Sequence, residues 1–380
     1  MRQLALVTGG AGLIGSHIAD RLLAEGWRVR ILDNLEPQTH AGKPAWLPSA
    51  AEFQRADVRD IPALSSALDG VEVVFHEAAY GGYMPEIAKF VEVNSLGTAR
   101  LLELIRDQRL PVRKLVVASS QAVYREGAVT CPRHGRQFPG PRESARLAAG
   151  EYRVSCPVCG GVTASTGMPE DAPVGGETVY AMTKLDQERL VLNWSRQTGI
   201  PAVALRYSCT YGPRQSGRNP YTGVIAIFAN RLRQGLAPVF YEDGEQTRDL
   251  CFVEDIARAN LLAAGSSSWD GLAVNVGSGA GTSVRTLART IAERLGVPCE
   301  PIVRGEHRPG EMRDLVSDIT LARRLGFEPK VGLEEGIGRY LAWLIGQDLG
   351  KDGFGDAETI LREKGVVQPS DRAAAGVGSR

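Results

Sequence analysis

Eight residues near the start, Thr8-Gly9-Gly10-Ala11-Gly12-Leu13-Ile14-Gly15, constrain the fold of this chain more than any other feature. An apolar run at 4–7 precedes them, and Ile14, Ile18 and Leu22 follow at helical spacing. A glycine-rich turn between a strand and a helix lets backbone N–H groups approach a pyrophosphate, which then sits on the positive end of the helix. The pattern reads both as Gly-x-x-Gly-x-x-Gly from Gly9 and as Gly-x-Gly-x-x-Gly from Gly10. Asp33 closes a second strand-like run at 29–32. Its carboxylate can accept hydrogen bonds from both ribose hydroxyls and repels a 2′-phosphate, so NAD is expected rather than NADP. Gly9, Gly12, Leu13, Ile14, Gly15, Asp33 and Asn34 are the first cofactor-binding candidates; Asp57 and Val58, after a third strand, are expected beside the adenine.

Further β-branched apolar runs at 71–76, 115–118 and 203–206 alternate with helical periods, among them one near 179–195. Such alternation predicts an α/β, Rossmann-type, doubly wound parallel sheet with helices on both faces. The expected division is an NAD-binding part at 1–124, an insert at 125–171 and the rest of the sheet part at 172–206. A mainly substrate-binding part at 207–345 follows, then a tail at 346–380 whose end, 373–380, is small, polar and expected to be disordered. With 43% hydrophobic and 23% charged residues the chain is globular. Its 44 basic and 44 acidic residues cancel, so no overall field favours nucleic acid or an anionic membrane. No apolar run is long enough to span a bilayer, and the three residues before the first apolar run are too short for a signal peptide, so none is expected. Six cysteines are too few for a disulfide scaffold, which points to a reduced, cytoplasmic protein.

Tyr180-Ala181-Met182-Thr183-Lys184 sets a phenol and an ammonium one turn apart on a helix face. A free tyrosine titrates near ~10 and is a poor base at neutral pH; a nearby lysine and an oxidised nicotinamide both favour the phenolate. Isolated Tyr-x-x-x-Lys pairs are common. Combined with the glycine loop and with Ser119-Ser120 at the end of a strand, this one reads as a proton-transfer site.

Taken in order, these motifs resemble the extended short-chain dehydrogenase/reductases, in particular the nucleotide-sugar epimerase/dehydratase family. The likeness runs from Met1 to about Leu344. It includes the 8–15 loop, Asp57-Val58, His76-Glu77-Ala78-Ala79, Asn94, Ser119-Ser120-Gln121-Ala122-Val123-Tyr124 and the Tyr180/Lys184 pair. Later members are Tyr211-Gly212-Pro213-Arg214-Gln215, Tyr241-Glu242-Asp243-Gly244, Thr247-Arg248-Asp249 and Arg308-Pro309-Gly310-Glu311. The resemblance implies a catalytic Ser120, Tyr180 and Lys184, with Ala78, Ala79, Asn94 and Tyr207 added to the cofactor site. It also implies a pocket for a dTDP- or UDP-hexose, lined by Gly81, Ser120, Gln121, Tyr180 and Cys209. Arg231, Arg248 and Arg308 become candidates for the diphosphate, whose oxygens suit the planar guanidinium fork.

The two positions after Ser120 narrow the reaction. Dehydrating members of the family carry an acidic pair there and decarboxylating members a glutamate at the second position. Here they are Gln121 and Ala122, neither an acid nor a base. The expected chemistry is therefore 4-epimerisation through a 4-keto sugar with NAD tightly bound. The alternatives are a 4-ketoreductase, less readily a dehydratase, or a non-catalytic NAD-binding protein. Cys209 stands where the family often has Asn, and the 80–86 loop lacks an arginine for a hexuronate. Gln121, Tyr207-Ser208 and the insert look most like the dTDP-L-rhamnose 4-epimerase type.

Ser120 and Tyr180 are 60 positions apart, leaving about 35 residues more than the family needs and too many for an ordinary loop. The insert holds Cys131-Pro-Arg-His134 and Cys156-Pro-Val-Cys159, two ligand pairs with zinc-ribbon spacing. Structural zinc on Cys131, His134, Cys156 and Cys159 is expected, with the ribbon near the mouth of the site. Six arginines against three acids over 125–160, with few aromatics, make no nucleic-acid platform. By resemblance, the helices around Asn94 and Tyr180 pair with their copies in a homodimer.

Overall fold

The computed structural model describes residues 3–82, 84, 86–217, 219, 223–347 and 354–371. The end at 373–380, and Tyr83 and Pro85 of the 80–86 loop, lie outside the described residues. The central sheet comprises β1 (Leu4–Thr8), β2 (Arg28–Asp33), β3 (Glu52–Arg55), β4 (Val73–His76), β5 (Lys114–Ser120), β6 (Ala202–Tyr207) and β7 (Ala273–Val276). All pairings are parallel, in the order β7-β6-β5-β4-β1-β2-β3. Strand order reverses between β1 and β4, where Ala5 lies between Val29 and Val73. At such a switch point the carboxyl ends of the strands leave a crevice.

Every residue of β1 and β5 is buried, which is why both read as unbroken apolar runs rather than alternations. Side chains still divide by parity. Ala5 and Val7 pack under α1 (Leu13–Ala24), whereas Leu4 and Leu6 face the side of α2 (Gly97–Asp107) and α3 (Val179–Thr198). On the first side Ile18 and Leu22 meet Ile256 and Ala259 of α4 (Val253–Gly265); on the other, Leu101 and Ile105 join Val191 and Trp194. Neither β3, read only as the third strand ahead of Asp57, nor β7, which the sequence reading misses, is marked by an apolar run. The first is the edge sequence Glu-Phe-Gln-Arg with both ends exposed, and the second is interrupted by Asn275, whose amide is satisfied by the Met168 and Asp318 carbonyls.

Phe228, Phe240, Phe252 and Tyr340 centre a second core in the later part of the chain. The insert forms a three-stranded antiparallel sheet from Val129–Cys131, Gly135–Gln137 and Ala164–Ser165, with a short helix at Ser144–Ala148. Buried Arg142 fastens it to the later part: it pairs with Glu126 at 2.8 Å and Glu242 at 2.9 Å and donates to the Glu311 carbonyl at 2.6 Å. The segment read as a tail contains α5 (Phe354–Glu363), with Phe354, Ala357 and Leu361 buried on one face at helical spacing. Among the described residues no helix is long and apolar enough to cross a membrane.

Candidate active site

A cavity of about 1030 Å³ opens at the switch point and runs toward the second core. It exceeds the roughly 300–1,000 Å³ of single-ligand clefts, so two ligands have room. One end is the glycine loop. Gly9 has φ +67°, and a Cβ there would lie 2.8 Å from the Ala78 nitrogen; a Cβ on Gly15 would lie 2.5 Å from the Gly9 carbonyl oxygen. Side chains are excluded, so the backbone can cradle a phosphate group. Asp33 accepts hydrogen bonds from the Ala11 and Leu35 amides at 2.9 and 2.8 Å, which fixes its carboxylate at the end of β2. Asp57 accepts from Asn34 at 2.8 Å and pairs with Arg59; burial raises its pKa, but these hydrogen bonds outweigh that and hold it below the usual range. Gly12, Leu13, Ile14, Val58, Ala78 and Ala79 complete this end. The donor set fits a dinucleotide.

Ser120 and Tyr180 meet because β5 ends where α3 begins. Thr178 caps α3 by accepting from the Ala181 amide at 3.2 Å, which places Tyr180 in the first turn and Lys184 one turn on. Ser120, Tyr180 and Lys184 all line the cavity. Ser119 points to the opposite face and donates to Glu188 at 2.6 Å, beside the buried Glu188–Arg206 pair, also 2.6 Å. Lys184 donates to Gln187 at 2.7 Å; Gln187 reaches Thr98 at 2.9 Å, Thr98 meets His76 at 2.9 Å, and His76 meets Thr8 at 2.8 Å. This buried chain ties the ammonium to the end of β1. Burial and the Lys184 charge push His76 down to about 3, so it is neutral at working pH.

Electrostatics here differ from the sequence expectation in one respect. Burial pushes the Tyr180 phenol up, the Ser120 hydrogen bond opposes it, and the charges of Cys209 and Glu77 add to the rise. Lys184 falls to about 8, also through burial, with Glu77 and Glu188 opposing. Sequence reasoning missed Glu77. Its carboxylate accepts from the Tyr207 hydroxyl at 2.9 Å, and burial lifts it to about 7 against the Tyr207 hydrogen bond and the Lys184 charge. The available signal was an acid directly after a wholly buried strand.

Beyond Tyr180 the wall continues through Gly81, Gln121, Tyr207, Cys209, Arg248 and Arg308. Gln121 donates to the Cys209 sulfur at 3.3 Å, and a Cβ on Gly81 would touch the Tyr180 ring at 3.5 Å. Glu311 stands between two arginines, 2.6 Å from Arg248 and 3.7 Å from Arg308; burial raises its carboxyl, but their charges hold it low. Two expected contacts lie off the wall. Asn94, in a π-helical stretch at Val91–Leu96, is fully buried and bonds the Tyr80 backbone and the Thr183 hydroxyl, so it steadies the loop bearing Gly81. Arg231 lies behind the wall, its guanidinium 5.0 Å from the centre of the Phe354 ring that lines it.

The ribbon was expected at the mouth, yet no described residue of 125–171 lines the cavity. Arg142 pins the insert behind the arginines instead, through the Glu311 carbonyl. Within the insert, one ligand atom from each of Cys131, His134, Cys156 and Cys159 falls inside a 4.8 Å cluster.

Comparison with known proteins places these features. The NAD dependent epimerase/dehydratase family matches residues 5–144 and 152–277. A dTDP-L-rhamnose 4-epimerase of Burkholderia thailandensis is 36% identical over 90% of this chain and 95% of its own length. A putative UDP-glucose 4-epimerase of Methanocaldococcus jannaschii is 34% identical over 90% and 98%. Among solved structures, a Thermus thermophilus UDP-glucose 4-epimerase in complex with NAD superposes with TM-score 0.71 at 31% identity, covering 91% of this chain and 100% of its own.

Proposed function

The chain belongs to the NAD dependent epimerase/dehydratase family, and from that premise we propose that it inverts C4 of a nucleotide-diphosphate sugar, an isomerase reaction of the 5.1.3 type. One observation carries the reading: Ser120, Tyr180 and Lys184 share a cavity with a dinucleotide cradle, while Gln121 and Ala122 follow Ser120. NAD held by the 8–15 loop, Asp33 and Asp57 would accept the C4 hydride and return it. Tyr180 takes the proton of the C4 hydroxyl, Ser120 holds that oxygen, and Lys184 supports the phenolate against the burial that disfavours it. The 4-keto sugar turns in the cavity, so that the hydride would return to the opposite face of C4 while Tyr180 gives the proton back to the C4 oxygen. Elimination would need an acid for the leaving hydroxyl and a base at C5, which Gln121 and Ala122 do not supply.

Arg248 and Arg308 are assigned to the diphosphate, with Arg231 supporting from behind Phe354. Among hexoses, a dTDP-6-deoxyhexose is placed first, on the 36% identity to the rhamnose enzyme and the Gln121–Cys209 pair. Chromatography of a nucleotide-sugar panel incubated with protein as purified tests this. Epimer formation without added cofactor supports it; product only with added reduced cofactor would make the chain a ketoreductase.

The insert is read as a structural zinc site. A tetrahedral ion with bonds of about 2.3 Å to sulfur and about 2.0–2.1 Å to nitrogen separates sulfur from nitrogen by about 3.6 Å and two sulfurs by about 3.8 Å. Cys131 and Cys156 lie 3.6 and 3.5 Å from His134 Nδ1, and Cys131 lies 3.9 Å from Cys159. Four protein ligands leave no open position, so the role is folding rather than catalysis. The division at 124, 171, 206 and 345 is kept, with α5 joined to the substrate part. A homodimer is assigned to α2, α3 and the turn before α2, where Ile87 is 65%, Val91 47% and Met182 50% exposed; a monomeric mass in light scattering contradicts it. Reduced cysteines suit the cytoplasm.

A further inference from the structure

The segment after residue 353 is built into the cavity rather than hung from it. Phe354, Lys364, Gly365 and Val366 line the end away from the glycine loop. Three sets of contacts fix the segment. Gln368 and His307 exchange backbone hydrogen bonds at 2.8 and 2.9 Å; Arg362 pairs with Glu306 at 2.7 Å; and Glu358, only 3% exposed, pairs with Arg304 at 2.5 Å. Glu358 also lies 3.4 Å from Arg362, and it accepts from the hydroxyl of Tyr241 at 3.1 Å. The other face of Tyr241 carries the site: the Arg308 guanidinium stacks on its ring at 4.2 Å.

We propose that α5 and the turn after it form the phosphate-end wall of the substrate cavity, with Glu358 acting as a positioning residue that orients Arg308 through Tyr241. The inference rests on the reading of Arg308 as a diphosphate ligand. Its physical basis is a relay. A buried carboxylate holds the phenol by its hydroxyl, which sets the plane of the ring, and the guanidinium that lies on that plane is oriented with it. Glu311, on the far side, keeps the same guanidinium from swinging away. Lys364, exposed at the rim, adds a further positive charge to this end.

Calorimetric titration of the full chain, with its bound cofactor, against UDP and dTDP and against the corresponding nucleosides tests the relay. Glu358→Ala is expected to weaken diphosphate binding about tenfold and to leave nucleoside binding and NAD content unchanged. Glu358→Gln still accepts from Tyr241 and should recover most of that loss, which a merely structural role would not explain. In turnover the loss appears in KM more than in kcat. Should Glu358→Ala fail to fold, Lys364→Ala, at an exposed position, is expected to weaken diphosphate binding several-fold, less at high salt. Diphosphate affinity unchanged in both overturns the inference alone. A wild-type chain that binds neither diphosphate overturns the functional reading and this inference together.

Discussion

The central sheet and the insert solve the same folding problem by opposite means. In the sheet, strands such as Leu4–Thr8 and Lys114–Ser120 are buried throughout, and apolar side chains from four helices close over both faces. In the insert the strands are two or three residues long, and much of their surface is exposed. What converges there is a cluster of thiols and one imidazole, with an arginine clamp to the neighbouring part. A segment of this size gathers too little apolar burial to offset its chain entropy, and the zinc proposed above would be the substitute. The two regions should therefore fail in different ways.

The largest effect expected is in the sheet region and on chemistry alone. Tyr180→Phe should lower turnover by about 10²–10⁴-fold while NAD stays bound in wild-type amount, since the glycine loop is untouched; near-normal epimerisation would remove the assigned base. Next, Cys156→Ser with Cys159→Ser should take the metal content from about one zinc per chain to none. The insert should then open to proteolysis while NAD remains bound. Absence of metal from wild-type protein purified without chelator would erase the contrast. Glu188→Ala strands Arg206 in the core and should cost about 3–5 kcal/mol in denaturant unfolding, a loss unaffected by chelator. The smallest effect is on pH. Lys184 is charged below about 8 and neutral above it, so the rate should fall on the alkaline side from there. Lys184→Arg, charged throughout, should flatten that limb at a lower overall rate.

Legibility in the sequence follows the same division. Buried strands and the strand–loop–helix unit announce themselves because burial on both faces demands uninterrupted apolar runs and the phosphate cradle demands glycine. Tyr180 and Lys184 are visible through helical spacing. Edge strand β3 was legible only as the third strand before Asp57 and not as an apolar run, because one side faces water and its composition is polar. Glu77 was hidden for a different reason: its role comes from burial beside Lys184 and Tyr207, partners over 100 positions away. The same holds for Asn94 and Arg231, whose residue types suit a ligand contact but whose packing puts them behind the wall. Helix α5 was readable at 354, 357 and 361, but its share in the cavity depends on contacts with Tyr241 and Arg304 that no local pattern contains.

The central claim is that the hydride leaves C4 and returns to it without leaving the site. Its most direct test uses nucleotide sugar deuterated at C4, incubated with protein as purified and no added cofactor, with the epimer analysed by mass spectrometry. The account predicts full retention of deuterium at C4 of the product. Epimer with deuterium lost to solvent, or no epimer until reduced cofactor is supplied, would contradict it.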